Sequence, residues 1–315
     1  MAILIDPPAW PAHGTLWSHL VSDADYDELH AFAVRLRIPR RGFDLDHYDL
    51  PAARYAEAVA LGALPVGAKD IVHRLRDAGL RVRQVERDAV LPVRRRQYLK
   101  AEWSRLGDAL GLGISGRVTD DWLHLGEGLI TRWNEPHRTY HDERHLEDVL
   151  LALDHLAIRG ERLSSGTLLA AWFHDAVYTG NGGSDELDSA HLAAASLRAF
   201  GLEPSLVSQV SELIVETTPA RSIADPAAPL AHLLDADLSI FASSPHRYEQ
   251  YSAAVRLEYA HIPDPDFAAG RARILGSYLE QPAIYRTAAA RQLWEERARA
   301  NVQCEIDRLL GASQR

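Results

Sequence analysis

Tyr140-His141-Asp142-Glu143-Arg144-His145 opens a run of helical period, and Ala171-Trp172-Phe173-His174-Asp175 closes the next one. Val149, Ala152, Leu153 and Leu156 continue the face of His145 at spacings of three and four, which directs that imidazole toward an interior. His141 lies four residues earlier, so on a continuous helix the two rings share a face. Leu168 to Phe173 is apolar nearly all round, the pattern of a buried helix, and it delivers His174 and Asp175 at its end. Leu234-Asp235-Ala236-Asp237-Leu238 again sets acids in apolar helical surroundings. A charged carboxylate there costs several kcal/mol, on the order of a buried ion, unless a cation compensates it. Two imidazoles with two carboxylates form a mixed nitrogen–oxygen set suited to Mn, Fe, Co, Ni or Zn, and less to Ca or a thiolate-seeking metal.

Working outward from these stretches, residues 98–315 read as an all-α helical bundle. Helices are predicted over Asp120–Trp133, His145–Ile158, Thr167–Val177, Ser189–Phe200, Leu206–Thr218, His232–Phe241, Tyr248–Ala260, Phe267–Leu279 and Thr287–Leu310, with Gly201 and Pro219 as stops. Residues 1–80 differ. Ala2–Ile5 is a short β-type run, and Asp23 to Arg37 is helical with Ser22 or Asp23 as its cap. Phe43 to Pro51 alternates like an edge strand, Ala52–Leu61 and Ala68–Ala78 are helical, and a further strand begins near Val66. The expectation is α+β overall: a small N-terminal α/β unit, a basic linker over 81–97 broken at Pro92, and the helical bundle. Arg81, Arg83, Arg87, Arg94, Arg95 and Arg96, with Lys100 just beyond, make the stretch from Leu80 to Lys100 basic, as a solvated strip or as a hold for a polyanion.

The N-terminal unit contains Asp6, His13, His19, Asp46, His47 and Asp49. Their spacings match no metal-ligand pattern, so loop and cap roles are expected of them.

Bulk properties set limits. With 315 residues, two domains are expected. Hydrophobic content of 47% and charged content of 25% are those of a globular protein rather than a disordered one. There is no apolar run long enough for a membrane span, and the N-terminus lacks the basic region of a signal peptide. A single cysteine, Cys304, excludes an internal disulfide and points to a cytoplasmic home. The net charge of −10 argues against a broad nucleic-acid footprint. A homo-oligomer is compatible with all of this.

Two resemblances emerge. Ile5-Asp6-Pro7-Pro8, Trp17-Ser18-His19-Leu20 and Asp46-His47-Tyr48-Asp49 resemble a small bacterial family known only as a domain of unknown function. His145, His174-Asp175 and Asp237 reproduce the H…HD…D order of the HD superfamily of metal-dependent phosphohydrolases. The match continues through Asp185-Glu186-x-x-Ser189-Ala190, Arg256-x-Glu258-Tyr259 and Gly270-Arg271, and covers roughly Tyr98 to Leu310.

The second resemblance implies metal ligation by His145, His174, Asp175 and Asp237, with Asp235 as a supporting or helix-capping carboxylate. It also implies proton donation by His141 to a leaving oxygen, phosphate contacts from Arg138 or Arg144, and either water positioning or helix capping by Glu186. One divalent transition ion is expected, with Mg admitted, and a small phosphorylated substrate such as a nucleotide. This chain has Pro219-Ala220-Arg221 where the similar subgroup often has a histidine. His191 and His232 lie outside the contexts that a second metal needs. Competing implications are a di-iron oxygenase, which needs further ligands, and a nucleotide sensor without turnover.

Overall fold

The structure is a computed structural model that describes residues 1–12, 14–114, 117–180, 183–218 and 226–312. His13 and the Pro219-Ala220-Arg221 segment, both singled out above, lie outside the described residues. The chain divides into two compact units, Met1–Arg94 and Arg95–Arg315. The fold is α+β: a small α/β unit followed by helices.

In the first unit, β1 (Ile3–Ile5), β2 (Trp10–Ala12) and β3 (Thr15–Ser22) precede α1 (Tyr26–Arg35). Then come β4 (Phe43–Asp44), β5 (His47–Pro51), α2 (Ala52–Ala60), β6 (Leu64–Pro65) and α3 (Ala68–Asp77). The sheet runs β4-β5-β3-β1-β6, with β2 also on β3; β1 and β6 are parallel and the other pairs antiparallel. Alternation along each strand sorts side chains to two faces. Ile3, Ile5, Leu20, Tyr48 and Leu50 pack with Leu29 and Phe32 of α1 and Ala58 of α2. Leu4 and Val21 pack on the other face with Ile71 and Leu75 of α3.

Several boundaries differ from the sequence reading, each for a local reason. The cap of α1 is Asp25, whose carboxylate accepts from the Glu28 amide, while the Ser22 hydroxyl accepts from Ala24 and Asp25 one turn earlier. The expected single edge strand over Phe43–Pro51 is a hairpin, turned at Leu45 with φ +60°. That is an uncommon conformation for leucine. His19, His47 and Asp49, expected in loop roles, lie on paired strands.

Residues 81–97, expected as a basic linker broken at Pro92, are mostly helix. α4 (Arg87–Ala109) runs through Pro92, which forfeits one backbone hydrogen bond without ending the helix. The basic side chains have partners within the chain. In the first unit Arg81 meets Asp46, Arg83 meets Glu86, Arg87 meets Asp44 and Arg94 lies over the Tyr26 ring. In the second, Arg95 meets Glu147, Arg96 meets Glu143 and Lys100 meets Glu127.

In the second unit a short pair, β7 (Gly113–Ile114) and β8 (Arg117–Val118), follows α4. Next are α5 (Asp120–Arg132), α6 (Glu143–Ile158), α7 (Ser165–Phe173), α8 (Ser184–Ala199), α9 (Pro204–Val215) and α10 (Ala228–Asp237). A 3-10 turn at Leu238–Ala242 leads to α11 (Pro245–Glu258), α12 (Asp264–Leu279) and α13 (Ala288–Ala312). One large core joins these helices. Near its start, Trp103 and Trp122 stack at 4.2 Å. Each indole donates to the other's backbone carbonyl, which satisfies two buried donors within the core. Among the described residues no helix is long and apolar enough to cross a membrane.

Candidate functional site

Asp142, not His141, decides how the histidine stretch folds. Its side chain accepts from the amides of Arg144 and His145, making it the N-cap of α6. His141 therefore precedes the helix, and the shared-face reading of His141 and His145 does not hold, although their rings are 5.6 Å apart. His145, in the first turn of α6, is buried, as is His174 at the C-cap of α7. Asp175 follows in the turn beyond α7, and Asp237 is the last residue of α10.

These four residues converge. His145 Nε2 lies 3.3 Å from His174 Nε2, 3.2 Å from Asp237 Oδ1 and 3.8 Å from Asp175 Oδ2. His174 Nε2 lies 3.3 Å from Asp175 Oδ2 and 3.7 Å from Asp237 Oδ1. Bonds of about 2.0–2.2 Å to a shared ion set neighbouring donor atoms roughly 3–3.5 Å apart, so the spacing of His145, His174 and Asp175, mutually within 4.8 Å, fits a first-row divalent cation, with Asp237 beside both imidazoles. The chemistry fits as well. His174 Nδ1 donates to the Ala171 carbonyl, which leaves Nε2 of the neutral ring as a lone pair, the usual way a ligating histidine is oriented. The imidazoles are almost fully buried, while the side chains of Asp175 and Asp237 keep 16% and 25% exposure, so the cluster opens to solvent on its carboxylate side. In the chain by itself, burial disfavours a charged His174, yet Asp175 and Asp237 outweigh it and push its pKa up to about 9. Burial would likewise raise the Asp237 carboxyl, but hydrogen bonds from His145 and His174 hold it far below the usual range.

Asp235 stands apart. It is fully buried and accepts from the amides of Arg286 and Thr287 at 2.7 and 2.8 Å, fixing the entry to α13. Glu186 is the third residue of α8 and its carboxylate accepts from the Gly183 amide, so it caps its helix.

Arg138 does not hold an outside anion. Its side chain is fully buried, with Nε and Nη2 on Glu135, Nη1 on the carbonyls of His141 and Asp175, and Nη2 also on Ala176. All five N–H groups of the guanidinium are taken, two by Glu135 and three by the carbonyls of the His141 and Asp175–Ala176 segments. Arg144 is half-buried, reaches Gln250 at 3.5 Å, and is lowered in pKa by burial and by neighbouring Arg247.

The sequence reading assigned no role to Glu258. Its Oε1 accepts from the amides of Thr139, Tyr140 and His141, and its Oε2 accepts from His141 Nδ1 at 2.7 Å and from the Tyr178 hydroxyl. Burial opposes both charges, yet the pair prevails: His141 is raised above the usual imidazole range and Glu258 is held at about 2. Tyr178 stacks on the His141 ring at 4.3 Å.

A cleft of about 300 Å³ runs from His141 and Asp237 between Tyr140, Tyr251, Phe267 and Tyr278. Arg271 lines it, with Nε on Glu305 and Nη2 on the Tyr251 hydroxyl, which accounts for two of its five N–H groups. Glu305 is itself buried and held by Tyr248 and Ser252. His232 is buried against Glu161 and His191 is exposed; neither joins the four-residue cluster.

Over residues 3–78 the chain is similar to a family described as "Protein of unknown function (DUF4031)". No curated protein and no solved structure matches the chain.

Proposed function

We propose that this chain is a metal-dependent phosphohydrolase of the HD superfamily, acting on a nucleotide or a related small phosphate ester. The convergence of His145, His174, Asp175 and Asp237 at the mouth of an aromatic cleft supports this reading. Those four residues would hold one divalent transition cation, with Mg admitted. When bound, it supplies Lewis acidity toward a phosphoryl oxygen and toward water.

The remaining steps belong to the chain's own side chains. Glu258 accepts the hydrogen bond of His141 Nδ1–H, so Nε2 is the nitrogen left to deal with substrate. The raised pKa keeps a proton on the ring for a departing oxygen, general-acid help typically worth about 10²–10⁴ in rate. Arg271, fixed by Glu305, offers its remaining N–H groups to a phosphate. Tyr140, Tyr251, Phe267 and Tyr278 give the apolar walls that a nucleobase needs. Arg138 keeps His141 and Asp175 in register. The separate placement of His191 and His232 favours one ion over a di-iron centre.

The test is phosphate release from a panel of nucleotides and sugar phosphates, with Mn²⁺, Co²⁺, Ni²⁺ or Mg²⁺ added to stripped protein. Metal-dependent turnover, lost in Asp175→Ala, is expected. Bound metal with no turnover on any compound would move the reading to a sensor or an oxygenase.

A further inference from the structure

The face of the first unit's sheet that packs on α3 carries more than Leu4 and Val21. Strand alternation puts Asp6, two residues after Leu4, on that face, together with His19, two residues before Val21. In the antiparallel register of β3 and β5, His19 sits opposite Asp49, and His47 shares the face of Asp49. One donor atom from each of His19, His47 and Asp49 lies within 4.8 Å of the others.

Behind these residues are two buried carboxylates, each 1% exposed. Asp6 Oδ2 meets His19 Nδ1 at 2.9 Å, and Asp6 Oδ1 takes the His19 amide. Asp46 Oδ1 meets His47 Nδ1 at 2.7 Å, and its Oδ2 is anchored by Arg81 and the Val82 amide. Each ring can give its Nδ1–H to a fixed acid, and in its neutral form then presents Nε2 as a lone pair. This is the carboxylate–histidine arrangement found behind metal ligands. A buried Asp–His pair has structural uses, but two such pairs aimed at one point beside a third carboxylate form a ligand set. His47 Nε2 is 3.5 Å from Asp49 Oδ1, a long hydrogen bond that an ion between the two would replace.

We propose that the first unit has its own divalent-cation site, in which Nε2 of His19 and of His47 and the carboxylate of Asp49 are the ligands and Asp6 and Asp46 orient the two rings. Two imidazoles and one carboxylate suit Mn, Fe, Co, Ni or Zn. The three side chains keep 27%, 20% and 49% exposure, so the site faces solvent. Three protein ligands with open positions are the mark of metal sites that exchange ligands, in contrast to closed structural ones.

The experiment is a cobalt titration of the stripped, full-length chain, read by visible absorption and by metal content after desalting. It is run in the wild-type background and in Asp175→Ala, which disables the other cluster. Asp49→Asn or His47→Ala should remove one equivalent in both backgrounds, with far-UV circular dichroism unchanged for the half-exposed Asp49→Asn. Asp6→Asn, which removes no ligand, should weaken the same equivalent about 10–100-fold. An unchanged count in folded Asp49→Asn, or an Asp6→Asn chain that binds as tightly as wild type, would overturn the site. Neither result bears on phosphate release by the helical unit, so the two readings fail separately.

Discussion

Glu258→Gln isolates one group on which the arrangement around His141 depends. The carboxylate accepts five hydrogen bonds. A glutamine oxygen can keep the three amides, but its NH₂ then faces the His141 Nδ1–H, setting donor against donor, and the Tyr178 hydroxyl must turn to accept. Folding lowers the Glu258 pKa from 4.5 to about 2, which at 1.36 kcal/mol per unit is about 3 kcal/mol of stabilisation of the charged form. Because this pKa is depressed, that stabilisation is complete above the ordinary value and is lost as pH falls through about 2. The His141 pKa is raised, so its share is complete below the ordinary 6.5 and is lost as pH rises past the folded value. The pair is therefore worth most between 4.5 and 6.5.

Tryptophan fluorescence during urea unfolding of the stripped protein reads this change. Trp103, Trp122, Trp133, Trp172 and Trp294 all lie in the second unit, and only Trp10 and Trp17 in the first. Near pH 6 the variant should lose about 3 kcal/mol, or roughly 6–12 °C in a parallel thermal melt. Near pH 3 the difference should shrink to less than about half of that. A difference below about 1 kcal/mol near pH 6, or one of equal size at both pH values, would refute the role assigned to the carboxylate.

Two further substitutions probe the scaffold and the acids. Asp235→Ala should lower stability by about 1–3 kcal/mol, since two buried amides lose their acceptor, while equilibrium dialysis shows the helical unit's ion retained; Asp237→Ala should lose that ion, and the reverse pattern would exchange their roles. In Gly126→Ala, the new methyl would meet the Trp103 ring at 2.3 Å, so overpacking of about 1–3 kcal/mol should exceed the helix-propensity gain of roughly 1 kcal/mol; a melt at or above the wild-type temperature would contradict the close packing at Trp103.

The helices were legible because their apolar residues recur at three and four, and the cluster was legible because acids in such faces demand a partner. What was lost depends on contacts that no local pattern encodes. His141 looked helical until Asp142 capped the helix behind it. Arg138 resembled a phosphate ligand because three of its five hydrogen bonds go to carbonyls, which are the same in every residue. Glu258 was visible only as part of a motif; its work depends on α11 meeting the Thr139–His141 segment. The His19–Asp49 pairing follows from strand register, and neither strand alone reveals it. Pro92 signalled a break, yet α4 loses only one bond there.

Arg138 also has a thermodynamic consequence. By tying the carbonyls of His141, Asp175 and Ala176 to one buried cation, it makes ordering of these segments part of folding itself. Under the proposed metal site, an arriving ion would meet donors already in place and forfeit little affinity to rearrangement. Its capture should raise the melting temperature by mass action without an added disorder-to-order transition. Hydrogen exchange at the amides of Tyr140 and His141 should be slow before any ion is added.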